Sequence, residues 1–104
     1  MQAMTVQEIA AAVGGVWLNP SEHAPEFTGV STDSRKIPAG CLFIPLVGER
    51  FDGHAYIQSA LESGAAGCFT ARERESYLPG KFYIKVSSTQ KALRDLAIWY
   101  KSRF

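Results

Sequence analysis

The sequence predicts an α/β fold, a single small domain with a mixed sheet of about five strands and three helices. Three observations carry that expectation. Short apolar runs at 41–47 and 65–70 flank a helical pattern, the strand–helix–strand order that gives parallel pairing through a right-handed crossover. Two further helical patterns, each with its own start signal, stand near the two ends of the chain. The 104 residues, 46% hydrophobic and 20% charged, are enough for one core without a disulfide or a metal.

The elements follow in order. Met4 to Val13 is a predicted helix, with Thr5 as N-cap and Glu8 completing a capping box. Met4 and Ile9 are spaced for a hydrophobic staple, and Gly14 and Gly15 end the helix. Gly15 to Leu18 is a short strand. The segment NPSEHAPE, residues 19–26, is a loop that carries His23 into solvent. Phe27 to Thr32 is a strand, and Pro38 fixes the turn Ile37 to Gly40. Cys41 to Val47 is expected to be the central strand, buried on both faces, with a bend or an edge at Pro45.

His54 to Ser63 is the second helix, its apolar stripe Ile57, Ala60 and Leu61 and its stop Gly64. Ala65 to Thr70 is a strand, residues 72–80 a charged connection, and Lys81 to Val86 another strand. Ser87 is the expected cap of the last helix, with Gln90 boxing back on it. Ala92, Leu93, Leu96, Ala97 and Tyr100 form its buried face. This pattern runs to Arg103 and Phe104 with no stop signal, so the sequence is expected to be part of a longer protein.

Composition excludes several classes. The net charge of +1 gives no electrostatic footprint for nucleic acid or for a polybasic membrane surface. No apolar run reaches the ~20 residues of a membrane span, and the first residues lack the regions of a signal peptide, so a cytoplasmic protein is expected. Cys41 and Cys68 sit in apolar segments without a CxxC or a histidine cluster, and both are expected in the core. No metal site is expected. There is no GxxxxGK[ST], GxGxxG or GxSxG motif.

Two polar stretches remain as candidate sites. Asp33 and Ser34 suit a tight turn, and Arg35 either offers its planar fork of donors to a phosphate or carboxylate or closes the turn in an internal ion pair with Asp33. Two roles are open for Arg35: a hand on a ligand, or a brace joining two loops through Asp33 or Asp52. Gly48 to His54 follows an apolar strand and leads into a helix, where α/β sheets bind ligands. Gly48 and Gly53 permit close approach, and Phe51 offers a face for a flat ring. Asp52 and His54 are expected to cap and shape the turn. No third group orients them as a catalytic dyad. The two stretches flank the strand Cys41 to Val47 at opposite ends, which makes it a spacer setting both around one ligand.

The combination Thr32-Asp33-Ser34-Arg35, then Pro38 and Gly40 before Leu42-Phe43, then Gly48 with Asp52-Gly53-His54, then Gly64-Ala65, closely resembles the N-terminal domain of the Mur ligases. These ATP-dependent enzymes add amino acids to UDP-N-acetylmuramic acid in peptidoglycan synthesis. Ala39 between Pro38 and Gly40 is a departure, expected to touch the turn and not the ligand. Phe51 before Asp52, and Leu96, Ala97, Tyr100 and Phe104 at the end, resemble the branch that adds D-alanyl-D-alanine more than the branch that adds the third residue. The resemblance implies that Thr32, Ser34, Gly48, Glu49, Arg50 and Phe51 approach the UDP part of a UDP-MurNAc-tripeptide. Asp33, Arg35, Asp52, Gly53 and His54 shape the loops, and no catalytic residue lies in residues 1–104. It further implies that ATP, Mg²⁺ and D-alanyl-D-alanine are handled by central and C-terminal domains beyond this chain, which alone binds no cofactor and is inactive. A regulatory or interaction domain of similar fold is the reading from a different class.

Overall fold

The computed structural model describes residues 3–22 and 26–103, so the expectations for His23 and Phe104 lie outside the described residues. The elements are α1 (Val6–Val13), β1 (Val16–Trp17), β2 (Val30–Ser31), β3 (Leu42–Phe43), a 3₁₀ turn (Gly53–Tyr56), α2 (Ile57–Glu62), β4 (Gly67–Thr70), β5 (Phe82–Lys85) and α3 (Thr89–Arg103). The strands form one sheet in the order β1-β5-β4-β3-β2. β1 runs antiparallel to β5, and the other neighbours are parallel. This is the expected mixed α/β sheet with three helices.

Local signals set the helix ends. The Thr5 hydroxyl accepts the Glu8 N–H at 3.2 Å and donates to the Glu8 carboxylate at 3.1 Å. Glu8 thus closes the box on the hydroxyl. Gly14, at φ +64°, ends α1 in the left-handed region that glycine occupies without strain. The last helix starts one residue later than expected. Ser88, not Ser87, caps α3, its Oγ accepting from Lys91 N–H at 3.2 Å. Ala97, expected on the buried face of α3, is exposed, while Ala92 and Leu96 are buried.

The early strands are shorter than the apolar runs that announce them. Phe27 does not join β2. It pairs with Met4, exchanging both backbone bonds at 2.9 and 3.1 Å, so the first part of the run Phe27 to Thr32 belongs to the segment ahead of α1. The run Cys41 to Val47 bonds β2 as far as Ile44 N–H to Ser31 O, 2.9 Å, and Pro45, next in the run, has no N–H to offer the β4 side. The middle of the sheet is β4, all four residues of which are buried; β3 lies one place toward the edge strand β2.

Alternation along β3 divides two cores. Leu42 and Ile44 join Met4, Ile9, Phe27, Phe82 and Leu96 on the face covered by α1 and α3. Cys41 and Phe43 join Ile57, Leu61, Cys68 and Tyr83 on the face covered by α2. The sheet is therefore the middle of three layers. Both cysteines are buried and free; burial raises the Cys41 thiol pKa and pushes that of Cys68 up to about 12. No helix among the described residues is long and apolar enough to cross a membrane.

Candidate functional site

The two polar stretches do not lie at opposite ends of a spacer strand. β2 and β3 are parallel neighbours in the register Val30–Leu42 and Ser31–Phe43. The turn Thr32–Arg35 leaves the C-terminal end of β2, and the loop 47–52 lies beyond the C-terminal end of β3. Both therefore stand at the same edge of the sheet. The expectation of opposite ends followed chain order, and the return of residues 36–40 to the start of β3 overturns it.

The turn is self-organised. The Ser31 hydroxyl sits 3.1 Å from Asp33 O and 2.8 Å from Lys36 O, and accepts from Asp33 N–H at 3.2 Å. Asp33 Oδ1 accepts from Arg35 N–H at 2.9 Å and Nε–H at 3.0 Å, and Oδ2 accepts from Nη2 at 3.3 Å. The Arg35 fork lowers the Asp33 pKa, and the carboxylate raises that of Arg35. The Arg35 side chain is 87% exposed and its ion pair is with Asp33, within one turn. It does not brace the second loop through Asp52. That place is taken by Arg72, whose Nη2 donates to Asp52 Oδ2.

The second loop is a tight hairpin. Val47 and Asp52 pair across its neck, Gly53 N–H bonds Leu46 O and Gly48 N–H bonds Phe51 O, both at 2.8 Å. A Cβ at Gly48 would stand 2.8 Å from the Phe51 ring, and one at Gly53 would stand 2.8–2.9 Å from the Leu46 backbone. Gly53 is thus required by close approach to backbone, whereas a side chain at Gly48 would displace the exposed Phe51 ring. Asp52 accepts from His54 N–H at 2.9 Å and bonds the His54 ring, Nδ1 to Oδ1, at 2.8 Å. The His54 backbone bond first, then the His54 ring and Arg72, hold the Asp52 carboxyl down at about 2. His54 Nε2 accepts the Ala71 N–H at 2.9 Å. The imidazole is therefore the Nδ1–H tautomer, with both nitrogens committed, and it joins the loop to the end of β4. That geometry makes Asp52–His54 a structural pair with no free basic nitrogen.

Between turn and loop lies an open cleft of about 410 Å³. Thr32, Asp33, Ser34 and Arg35 line one side, Phe51, Gly53 and Tyr56 the other, with the buried Phe43 behind them. Among the described residues, the side-chain hydroxyls of Thr32 and Ser34 have no hydrogen-bond partner, and both residues line this cleft. Phe51 and Tyr56 are 58% and 50% exposed. Gly48, Glu49 and Arg50 are exposed at the loop tip, outside the lining. Free hydroxyls, an exposed guanidinium and aromatic faces suit a ligand that joins a flat ring to hydroxylated and anionic groups.

Three contributors were not singled out from the sequence. Tyr56 belongs to a segment read only for its apolar stripe, although its place just after the loop was a signal. Phe43 read as core. Arg72 read as part of a charged connection, and nothing in the sequence pairs it with a residue twenty positions earlier.

Comparison with known proteins bears on this cleft. The chain is 41% identical, over 92% of its length, to the UDP-N-acetylmuramoyl-tripeptide–D-alanyl-D-alanine ligase of Bacillus subtilis, 21% of which is covered. It is 34% identical, over 90% of its length, to the UDP-N-acetylmuramoyl-L-alanyl-D-glutamate–2,6-diaminopimelate ligase of Bacteroides thetaiotaomicron, 19% of which is covered. The fold superposes on a crystal structure of MurF from Acinetobacter baumannii with a TM-score of 0.85 at 25% identity, covering 99% of this chain and 22% of that one. The chain thus spans about a fifth of the length of the curated relatives it matches. The family described as "Mur ligase family, catalytic domain" matches residues 26–101, from ahead of β2 to near the end of α3, and by that match the chain belongs to the Mur ligase family.

Proposed function

We propose that the cleft holds the UDP end of UDP-N-acetylmuramoyl-tripeptide, and that the chain is the N-terminal substrate-binding unit of a ligase that joins D-alanyl-D-alanine to it. The supporting observation is the pair of unpartnered hydroxyls, Thr32 and Ser34, in the same cleft as Phe51 and Tyr56. Thr32 is exposed and Ser34 half-buried, so both hydroxyls are accessible to a ligand in the cleft and carry no internal bond that would have to break first. The hydroxyls would bond the polar part of the ligand in place of water, while the aromatic residues take the flat base. Gly48, Glu49 and Arg50, at the loop tip, meet the part of the ligand that extends from the cleft.

The contribution of these residues is orientation. ATP and Mg²⁺ would activate the substrate carboxylate for attack by the dipeptide amine, and residues 1–104 contain no phosphate-cradling loop for that step. The peptide end of the substrate then points to the parts of a full-length protein that hold the nucleotide. The 34% identity to a diaminopimelate ligase favours a second reading, in which the same cleft serves addition of the third residue.

Titration of the chain with UDP and with UDP-N-acetylmuramoyl-tripeptide, followed by amide NMR, tests the binding role. Shifts centred on Thr32, Ser34 and Phe51 are expected. Thr32→Val and Ser34→Ala are each expected to weaken binding roughly 3- to 10-fold, the worth of one hydrogen bond. Shifts confined to α3, or affinity unchanged in both variants, would overturn the assignment. ATP consumption by the full-length protein, dependent on D-alanyl-D-alanine or on diaminopimelate, separates the two readings.

A further inference from the structure

We propose that Gln90 is a positioning residue for the cleft: its side-chain amide ties the neck of the loop 47–52 to α3 and so sets where Phe51 stands. This rests on the reading that the cleft binds the UDP end of the substrate.

The expected capping box would fold Gln90 back onto Ser87. The helix instead begins after Ser88, whose hydroxyl takes the Lys91 N–H. Gln90 is therefore relieved of capping. Its Nε2 crosses the fold to donate to Val47 O at 2.6 Å, a bond between residues 43 positions apart.

The recipient strand is anchored up to Leu46, which packs against the core and accepts Gly53 N–H at 2.8 Å, and becomes exposed from Val47 onward. Val47 is 41% exposed and pairs with Asp52 across the neck. The Asp52 strand is fixed to the end of β4 through Arg72 and through His54 with Ala71. The Val47 strand is fixed to α3 through Gln90. The tip between them, with Phe51 lying over Gly48, is solvent-exposed and has no packed core to hold it. Neck bonds therefore decide its position. An exposed bond of this kind adds little to overall stability, but a loop held ready for its ligand binds more tightly than one that must be ordered on binding.

The test titrates UDP into the wild-type chain and into Gln90→Ala, Gln90→Glu and Gln90→Lys at neutral pH, with thermal melts alongside. Glu presents an acceptor to the Val47 carbonyl, and Lys restores a donor of similar reach. The UDP Kd is expected to rise roughly 3- to 10-fold in Ala and at least as much in Glu, and to return to within about twofold of wild type in Lys. The Tm is expected to hold within about 2 °C throughout, and amide exchange at Gly48 to quicken in Ala and Glu. Wild-type affinity in Ala and Glu overturns the positioning role. So does a Lys variant as weak as Ala, or an affinity loss that only follows a fall in Tm. If the wild-type chain shows no UDP-induced shift at Phe51, the cleft assignment itself fails, and the positioning role falls with it.

Discussion

Removing the His54 side chain should unfasten the candidate site from the sheet, and the structure sets the scale of the effect. The imidazole side chain is 5% exposed. It donates from Nδ1 to Asp52 Oδ1 at 2.8 Å and accepts Ala71 N–H on Nε2 at 2.9 Å. His54→Ala loses both bonds, leaves the Ala71 donor without its partner, and opens a void beside Asp52. An unsatisfied donor costs about 1–3 kcal/mol, and the void adds to it, so a total of about 2–4 kcal/mol is expected. For a domain of this size that is a fall in Tm on the order of 10–25 °C.

Two conservative variants divide the effect. Asparagine places an amide near the Nδ1 position and keeps the Asp52 bond. Glutamine reaches the Nε2 position and keeps the Ala71 bond. The backbone N–H has no alternative partner, whereas Asp52 retains the His54 N–H and Arg72. Glutamine should therefore be the milder change, by about 1 kcal/mol. Urea unfolding of the three variants, followed by tryptophan fluorescence, measures these differences. A loss below about 1 kcal/mol for alanine, or asparagine milder than glutamine, would refute the account of His54 as the fastening between loop and β4.

Two other outcomes are expected. Asp52 titrates at about 2 in the folded chain against an ordinary 3.8, so its contribution to stability is complete above the ordinary value and is lost as pH falls through about 2. Acid titrations of stability should therefore show a limb between about pH 4 and pH 2 that Asp52→Asn flattens, and identical limbs would remove Asp52 as its source. Arg35→Ala, which deletes an ion pair whose cation is 87% exposed, should move the Tm by no more than about 2 °C while weakening UDP binding if the fork touches the diphosphate; a large Tm fall without an affinity change would make Arg35 a brace after all.

The fold class was legible because its signals are local. The Thr5–Glu8 box, the stripe Ile57, Ala60 and Leu61, and the alternation in Phe82 to Lys85 each depend on nearby residues alone. Strand lengths were not legible, because a ladder ends where its partner ends. Nothing near Phe27 in the sequence says that Met4 will take its backbone bonds. The start of α3 was misjudged by one residue for a related reason. Ser87 and Ser88 both suit a cap, and the box spacing from Gln90 points to Ser87, but Gln90 bonds Val47 O across the fold and Ser88 takes the Lys91 N–H.

The site shows the same division between chemistry and placement. Residue type picked out Phe51, as a face for a flat ring beside glycines, and read Ser34 only as part of a tight turn; Thr32 and Ser34 as ligand contacts came from the resemblance. Their convergence on one cleft depends on β2 and β3 being parallel. Had the two strands formed an antiparallel hairpin, the turn Thr32–Arg35 would stand at one end of the sheet and Phe51 at the other, and no single ligand of nucleotide size would touch both. The parallel arrangement needs the chain to return from the end of β2 to the start of β3 across residues 36–40. That return is held at its far end, where Gly40 N–H bonds Gly64 O at 2.8 Å behind α2. Pro38 and Gly40 then matter to the site although neither lines it. Gly40, at φ +76°, sets the point where the chain turns into β3, and so brings the end of that strand beside the end of β2. The motif that looked like a turn between two candidate sites is the device that makes them one.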